Sequence, residues 1–280
     1  MIDLYYAPTP NTWKVSIMLE ECALPYRMIP VDIMAGDQKR EEFLAINPNG
    51  RIPAIVDHDA PGGLLPVFES GAILIYLAEK TGGFLAATGR ARYDALGWLM
   101  WQMGGLGPMA GQAHHFRRYA PEGNDYAADR FVSESTRLYG VMDGQLAANE
   151  WLAGADYSIA DIATWGWVWY HRMHGQNLEQ FPAVARWFFA MSERPAVQRG
   201  KALGLDSQPE DIRARTEQAL EGVKEVDDPH RLSGVVGHGL PIAVGVVNGR
   251  RLRRGDGRGH GVRSSVRSAF SMPNAERAWK

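Results

Sequence analysis

The polar loop at Thr9 and Asn11 is the first place in the sequence where side chains could stabilise a negative charge. It follows an apolar run, Ile2–Tyr6, that predicts a short strand. The residues after it have helical periodicity, so Asn11 is predicted to cap a helix that ends at about Leu24. A hydroxyl group, an amide and the amino end of a helix all attract an anion such as a thiolate. The same residues would serve equally well as a turn and a helix cap.

A proline and a helix start further along the chain could hold the backbone and the charged end of an extended ligand. A cis bond before Pro53 would turn the amide and carbonyl of Ile52 outward, where a ligand backbone could pair as an added strand does. A trans Pro53 that only begins a strand is the alternative. Glu69 and Ser70 begin a predicted helix whose free amides favour a carboxylate, although the pair would also suit a plain cap. A γ-glutamyl tripeptide would satisfy both positions.

The elements that position these residues are predicted from apolar periodicity and from clusters of Gly, Pro and Asn. Strands are predicted at residues 2–6, 26–33, 52–56 and 65–68, and helices at residues 11–24, 41–46 and 69–81. The order βαβαββα, with a proline opening the third strand, indicates a thioredoxin-like α/β domain over residues 1–84.

After this first domain the strand signals disappear, and a second, all-helical domain is predicted over residues 88–205. Its helices are expected at about residues 90–116, 126–148, 158–171 and 182–190. Within it, Ser158 and Asp161 have the spacing of a capping box, which favours a folding role over catalysis.

Residues 206–280 are predicted to be a C-terminal extension, with about the last 50 residues disordered. Residues 229–280 hold 10 of the 30 basic side chains, 2 of the 32 acidic ones and 9 glycines, without apolar periodicity. Such a segment cannot bury a useful core. Its charge could attract nucleic acid, but a disordered or non-native extension is favoured and no function is assigned to it, so nucleic acid is not expected as a partner.

Composition predicts a globular, cytoplasmic protein. The chain has 280 residues, 45% hydrophobic and 22% charged, and its apolar runs are too short to span a membrane. The single cysteine, Cys22, cannot form an internal disulfide, which suits a reducing compartment. Adjacent His114 and His115 point about 100° apart on a helix and have no acidic or cysteine partner at ligand spacing. No metal is therefore expected.

Several segments, taken together in this order and spacing, resemble glutathione transferases. They are YYAPTPN at residues 5–11, NPNGRIPAI at residues 47–55, FESGAILIYL at residues 68–77 and SIADIA at residues 158–163. The stretch WLMWQMGGLGPMAGQAHHF at residues 98–116 resembles the nu-class bacterial members, some of which are glutathione-dependent disulfide-bond reductases. The resemblance covers about residues 1–205. It implies the glutathione transferase fold, glutathione as co-substrate and a homodimer.

The resemblance also implies a set of residues that bind glutathione. They are Asn11, Gln38, Ile52, Pro53, Glu69, Ser70, Gln102 and Arg130, the last of which reaches the ligand across a dimer interface. From spacing alone, Gln38 and Arg130 would be taken as solvated surface. Only the resemblance places them at the ligand.

Glutathione must be ionised to react, because a thiol with a pKa near 8.5 is only a few per cent thiolate at neutral pH. A charged hydrogen bond of about 1.5 to 3 kcal/mol lowers the thiol pKa by about one to two units. We therefore predict Thr9 and Asn11 as the catalytic residues. Tyr5 and Tyr6 belong to the first strand and are not expected to activate the thiol. Cys22 shares a helix face with apolar residues, which favours a buried core thiol over a nucleophile.

The predicted function is a glutathione-dependent thiol–disulfide oxidoreductase that binds reduced and oxidised glutathione. Because no cysteine occupies the first loop, disulfide reduction needs two glutathione molecules, one to attack and one to resolve the mixed disulfide. Two alternatives stay open: a transferase that conjugates glutathione to hydrophobic electrophiles, and a non-catalytic binding or regulatory module of the same fold. The presence of Thr9, Asn11, Glu69 and Ser70 argues against the module.

Overall fold

The computed structural model describes residues 1–204. The predicted C-terminal extension, residues 206–280, lies outside the described residues. In the described part the strands end at Phe68, and every later regular element is helical apart from one isolated bridge between Trp151 and Gly154. None of the described helices is both long and apolar enough to cross a membrane.

A mixed sheet forms the first part of the fold. Its four strands are β1 (Ile2–Tyr6), β2 (Tyr26–Pro30), β3 (Ala54–Ala60) and β4 (Gly63–Phe68), and its helices are α1 (Pro10–Glu21), α2 (Glu41–Leu44) and α3 (Ser70–Thr81). The strand order is β2-β1-β3-β4. α1 connects the parallel pair β1 and β2, while β3 runs antiparallel to both β1 and β4. The predicted order βαβαββα is confirmed.

The rest of the described chain is helical, as predicted. Its helices are α4 (Gly89–Trp101), α5 (Gly107–Arg118), α6 (Asp125–Ala148), α7 (Ile159–Trp169), α8 (Pro182–Ser192) and α9 (Pro195–Ala202). The helix predicted over residues 90–116 is divided by a π-helical turn, Gln102–Leu106, at the glycine cluster. Such turns widen a helix locally and are common at functional sites. The sequence did not predict α9, whose eight residues leave too short an apolar pattern.

The start of α1 differs from the prediction, because Thr9 and not Asn11 caps it. Thr9 has extended backbone angles, and its Oγ1 accepts a hydrogen bond from Thr12 N at 3.4 Å, while Thr12 Oγ1 accepts one from Thr9 N at 3.1 Å. Pro10 has no N–H to satisfy and therefore suits the first helical position. Asn11 already lies in the first turn, so its side chain is not needed as a cap.

α1 is buried along most of its length, because α3, α7 and α9 pack around it. A Cβ atom at Gly200 would stand only 2.6 Å from Ile17 N, so the backbone of α9 lies directly against α1. Ser16 Oγ donates a 2.6 Å hydrogen bond to the carbonyl of Gly200 across this contact. A lysine of α1, Lys14, is also only 1% exposed, because its ammonium group lies among Ser70, Gln102 and Met103.

The predicted capping box at the start of α7 is present and is tied into the core. Asp161 accepts a 3.0 Å hydrogen bond from the Ser158 amide, and its other oxygen accepts from Leu152 N and from Trp187 Nε1, both at 2.9 Å. Burial raises the pKa of the Asp161 carboxyl to about 6, against the effect of these donors. Asp161 therefore joins three segments of the helical part, which is a folding role.

We expect Asp161→Ala to lower the free energy of unfolding by about 3 kcal/mol or more, because it leaves several buried N–H groups without an acceptor. Ser158→Ala removes only the capping hydroxyl and should cost about 1 kcal/mol. Urea unfolding followed by circular dichroism measures both losses. Equal losses for the two variants would contradict the cross-linking role of Asp161.

Candidate functional site

A cavity of about 510 Å³ opens where the first loop, the loop before β3 and the start of α3 meet. Among its lining residues are Thr9, Asn11, Gln38, Ile52, Pro53, Glu69 and Ser70, all of which sequence reasoning had selected. They come from four separate stretches of the chain. The fold therefore brings together in one place side chains that lie up to about 60 residues apart.

Thr9 uses its hydroxyl group mainly within its own turn. Its Oγ1 lies 2.8 Å from Thr12 Oγ1, and Thr12 Oγ1 also donates to the carbonyl of Ala7. A hydroxyl group has only one proton to donate. When Thr12 donates its proton to the Ala7 carbonyl, Thr12 Oγ1 can accept a hydrogen bond from the Thr9 hydroxyl. Thr9 can donate into the cavity only when Thr12 turns its proton back toward Thr9.

Asn11 is held in one orientation by an aromatic residue of α7. Trp167 Nε1 donates a 3.1 Å hydrogen bond to Asn11 Oδ1. An indole N–H can only donate, so it must take the carbonyl oxygen of the amide. The Asn11 NH2 group is therefore the part left to donate into the cavity, which Trp167 also lines. Sequence reasoning missed this function of Trp167, because the two residues are 156 positions apart.

The loop before β3 presents backbone to the cavity. The Ile52–Pro53 peptide bond is cis, as predicted, and β3 begins only at Ala54. Buried Asn47 braces this loop: its Nδ2 donates to the Arg51 carbonyl at 2.6 Å, and its Oδ1 accepts from the Asn49 amide at 3.0 Å. The signal for this brace in the sequence is the cluster Asn-Pro-Asn-Gly at residues 47–50, which predicts a break in regular structure but not these hydrogen bonds.

Glu69 and Ser70 meet the cavity at the amino end of α3. Glu69 has a φ of 68°, a conformation that costs a non-glycine residue about 1 to 3 kcal/mol and recurs at functional sites. Ser70 is the first helical residue and is buried, with its hydroxyl at the cavity wall. The first amides of a helix have no partner within it, so this end attracts an anion beside an exposed carboxylate.

Directly behind Ser70 lies a cation that sequence reasoning missed. Lys14 Nζ donates to Gln102 Oε1 at 2.6 Å and lies 3.4 Å from Ser70 Oγ and 3.2 Å from Met103 Sδ. Burial lowers the pKa of Lys14 to about 7, and the nearby Glu69 carboxylate opposes this effect. The available signal was a lone charge inside the apolar stretch TWKVSIML.

The remaining predicted binding residues lie in different places. Gln38 lines the cavity and donates from Nε2 to the Ile33 carbonyl at 3.1 Å. Gln102 is fully buried below the cavity wall as the partner of Lys14. Arg130 is exposed on α6 and lines a separate surface groove with Tyr126. Within a single chain, Arg130 and Gln102 are therefore outside the cavity lining.

Tyr6 and Cys22, which were not expected to act in catalysis, do not line the cavity. Burial raises the pKa of the Tyr6 hydroxyl well above its usual range. Cys22 is half-buried and not fully buried as expected, because its sulfur lies near the end of α1, 3.5 Å from Thr81 Oγ1. Burial raises the pKa of its thiol as well.

Within residues 1–204, no group of three or more His, Cys, Asp or Glu side chains could hold a metal ion.

Family comparisons agree with this arrangement. The N-terminal domain of glutathione S-transferase matches residues 9–80, and the C-terminal domain of the same family matches residues 106–195. The chain is 53% identical over 205 residues to the disulfide-bond oxidoreductase YfcG of Escherichia coli strain K12, which covers 72% of this chain and 94% of that protein. It is 38% identical over 221 residues to the disulfide-bond oxidoreductase YghU of the same strain, and this match covers 74% of this chain and 76% of that protein.

Solved structures give the same assignment. A glutathione transferase from Pseudomonas putida, with one glutathione disulfide bound per subunit, has a TM-score of 0.69 and 46% identity, and the match covers 72% of this chain and 91% of that one. A family member from Pseudomonas fluorescens pf-5, with two glutathione molecules bound, has a TM-score of 0.68 and 46% identity, and the match covers 71% of this chain and 92% of that one. The chain therefore belongs to the glutathione S-transferase family.

Proposed function

We propose that this protein is a glutathione-dependent disulfide reductase, which exchanges thiols between glutathione molecules and a small disulfide. The observation that carries the proposal is the cavity that holds Asn11, the backbone at Ile52 and the Glu69–Ser70 helix start around one space. Its volume of about 510 Å³ lies within the range of small-molecule sites. Two relatives named as disulfide-bond oxidoreductases support the choice of reaction.

The tripeptide is positioned by groups of opposite charge at its γ-glutamyl end. The α-carboxylate binds the free amide and hydroxyl of Ser70, and the α-amine binds the carboxylate of Glu69. The cysteinyl backbone pairs with Ile52, while Gln38 contacts the ligand from the far side. This placement directs the sulfur toward the first loop, where Asn11 stands.

Asn11 is the stronger of the two predicted sulfur donors. Its NH2 group makes no hydrogen bond to another described residue, whereas the Thr9 hydroxyl lies within hydrogen-bond distance of Thr12 Oγ1 at 2.8 Å. A donor fixed before the ligand arrives stabilises the thiolate without the cost of reorganisation. We therefore assign the main activation of the glutathione thiol to Asn11, and a supporting role to Thr9.

The reaction needs no protein thiol. A bound glutathione thiolate attacks one sulfur of the substrate disulfide, which forms a mixed disulfide and releases the other sulfur as a thiolate. A second glutathione thiolate then attacks the glutathione sulfur of that mixed disulfide, which yields glutathione disulfide and the second product thiol. Two glutathione molecules are oxidised for each disulfide reduced. A cytoplasmic location would supply the reduced glutathione, and the single cysteine of the chain suits such a compartment.

A homodimer is part of the proposal. Large apolar side chains are exposed on the outer faces of β4, α4 and α6, including Leu64 at 68%, Tyr93 at 72% and Tyr126 at 80%. A subunit interface over these elements would bury this apolar surface. Arg130 stands on α6 beside Tyr126, so a second subunit docked there would bring Arg130 toward its partner's ligand.

Replacing the proposed sulfur donor should slow disulfide reduction. We expect Asn11→Ala to lower kcat/KM for 2-hydroxyethyl disulfide by about 10- to 150-fold, which corresponds to a charged hydrogen bond of about 1.5 to 3 kcal/mol. Asn11→Asp should be slower still, because a carboxylate repels the thiolate. Cys22→Ala is the matched control and should keep the wild-type rate. A wild-type rate for Asn11→Ala would exclude Asn11 as the donor to the sulfur. A higher rate of the wild type with an aryl halide than with the disulfide would favour the conjugating transferase.

The orientation of Asn11 gives a second prediction. Trp167→Phe keeps an aromatic ring but removes the N–H that holds the Asn11 carbonyl, so the amide is free to turn its oxygen toward the sulfur. We expect kcat to fall about three- to tenfold and the Kd for glutathione disulfide to stay within twofold. Steady-state kinetics and calorimetry measure the two quantities. A change in Kd alone would mean that Trp167 only shapes the pocket.

The dimer gives a third prediction. Gel filtration with light scattering should give twice the chain mass, and Arg130→Ala should raise the Kd for glutathione disulfide severalfold. Arg137→Ala is a suitable control, because Arg137 lies in the same groove of α6 but pairs with Glu134 at 2.7 Å. A monomer, or equal effects of the two variants, would refute the role of Arg130 across an interface.

Failure of the wild type to bind either form of glutathione would favour a non-catalytic module.

A further inference from the structure

The ammonium group of Lys14 is an unusual feature of the buried part of the protein. It lies on α1, is 1% exposed, and makes no salt bridge to any described carboxylate. Its hydrogen-bond partners, Gln102 Oε1, Ser70 Oγ and Met103 Sδ, are all neutral. A buried charge without an ionic partner costs several kcal/mol, and an apolar side chain of similar volume would be cheaper. Stability alone therefore does not account for a lysine at this position.

The neighbours of Lys14 connect it to the cavity. Ser70 Oγ lies 3.4 Å from Nζ, and Ser70 and Met103 both form part of the cavity wall. A lysine ammonium group has only donors, so Ser70 must accept from it. In the unliganded protein the Ser70 hydroxyl donates to Met103 Sδ at 3.6 Å, a weak acceptor, so the proton can turn to a stronger anionic acceptor in the cavity. The positive charge thus stands one hydroxyl group behind the place where an anion binds at the start of α3.

Gln102 fixes the lysine from the opposite side. Its Oε1 takes a 2.6 Å hydrogen bond from Nζ, and the π-helical turn Gln102–Leu106 places it below the cavity wall. A Cβ atom at Gly107 would stand 2.7 Å from Gln102 Nε2, so this amide packs closely against the backbone of α5. The ammonium group is therefore held toward Ser70 by a tightly packed partner.

We propose that Lys14 is a positioning residue for the γ-glutamyl end of the ligand: it acts through Ser70, and the ligand α-carboxylate completes its missing ion pair. The inference rests on the proposed glutathione binding in this cavity and deepens it by naming the charge that balances the carboxylate. It also gives Gln102 a way to contribute to binding without lining the cavity, since Gln102 holds Lys14.

A pH dependence of binding follows from this arrangement. In the free protein, burial lowers the pKa of Lys14 to about 7, against the raising effect of the Glu69 carboxylate on α3. The other charged residues of the helices packed on α1 have partners elsewhere. On α3, Glu79 pairs with Arg92 and Lys80 with Asp57. Asp161 of α7 belongs to the capping box, while on α9 Arg199 pairs with Glu20 and Lys201 lies over the Trp169 ring. A bound carboxylate favours the protonated lysine and raises its pKa. Binding therefore takes up a proton above pH 7, and affinity falls as the pH rises.

Calorimetry with S-methylglutathione tests the inference, because this ligand has no thiol to titrate. For the wild type, we expect Kd to rise about tenfold between pH 6.5 and 8.5, with proton uptake at pH 8 detected by comparing two buffers of different ionisation enthalpy. Lys14→Met should bind at least tenfold more weakly at pH 6.5 and with less change in Kd across this range. Lys14→Arg stays charged, so it should recover affinity at pH 8.5 and lose the lysine-dependent proton uptake.

A second ligand isolates the carboxylate. A γ-aminobutyryl-S-methylcysteinylglycine tripeptide lacks the α-carboxylate, and it should bind the wild type and Lys14→Met within twofold of each other. Circular dichroism and urea unfolding establish that each variant is folded. If the wild type binds S-methylglutathione with the same pH dependence as folded Lys14→Met, the role of Lys14 is overturned while glutathione binding stands. If the wild type does not bind S-methylglutathione at all, the proposed function fails with it.

Discussion

The burial of α1 against α3, α7 and α9 is the constraint on which the rest of the structure depends. The backbone contact between Ile17 and Gly200 leaves no room for α1 to shift. This fixes the amino end of α1, and with it the donors at Thr9 and Asn11. It also encloses Lys14, which would be solvated on an ordinary surface helix. The packing that stabilises the fold therefore also produces the electrostatics of the cavity.

The cavity combines several weak local features into one binding surface. A helix start, an extended loop before a proline and a polar turn are each common in proteins and say little alone. Here Glu69 and Ser70 provide a charge and a free helix end, while Ile52 provides backbone, all around one space. Two residues beyond the first loop then set the chemistry: Trp167 turns the Asn11 amide, and Lys14 supplies charge behind Ser70.

Sequence reasoning succeeded where the deciding interactions are local. The strands and helices of the order βαβαββα and the capping box at Ser158 and Asp161 depend on neighbours within a few residues. It was wrong about the cap of α1, since Thr9 and Asn11 both suit that position and only the geometry of Pro10 distinguishes them. It also treated residues 90–116 as one helix, because a π turn leaves the apolar pattern almost unchanged.

By itself, then, the sequence determined the element order of residues 1–84, the family resemblance and the candidate residues Thr9, Asn11, Ile52, Glu69 and Ser70. The tertiary structure alone decided which polar atoms of those residues face the cavity. That choice depends on partners far away in the chain, such as Trp167 for Asn11 and Lys14 for Ser70. The physical reason is that hydrogen-bond direction and burial are set by close packing between distant segments, and residue spacing carries no information about either.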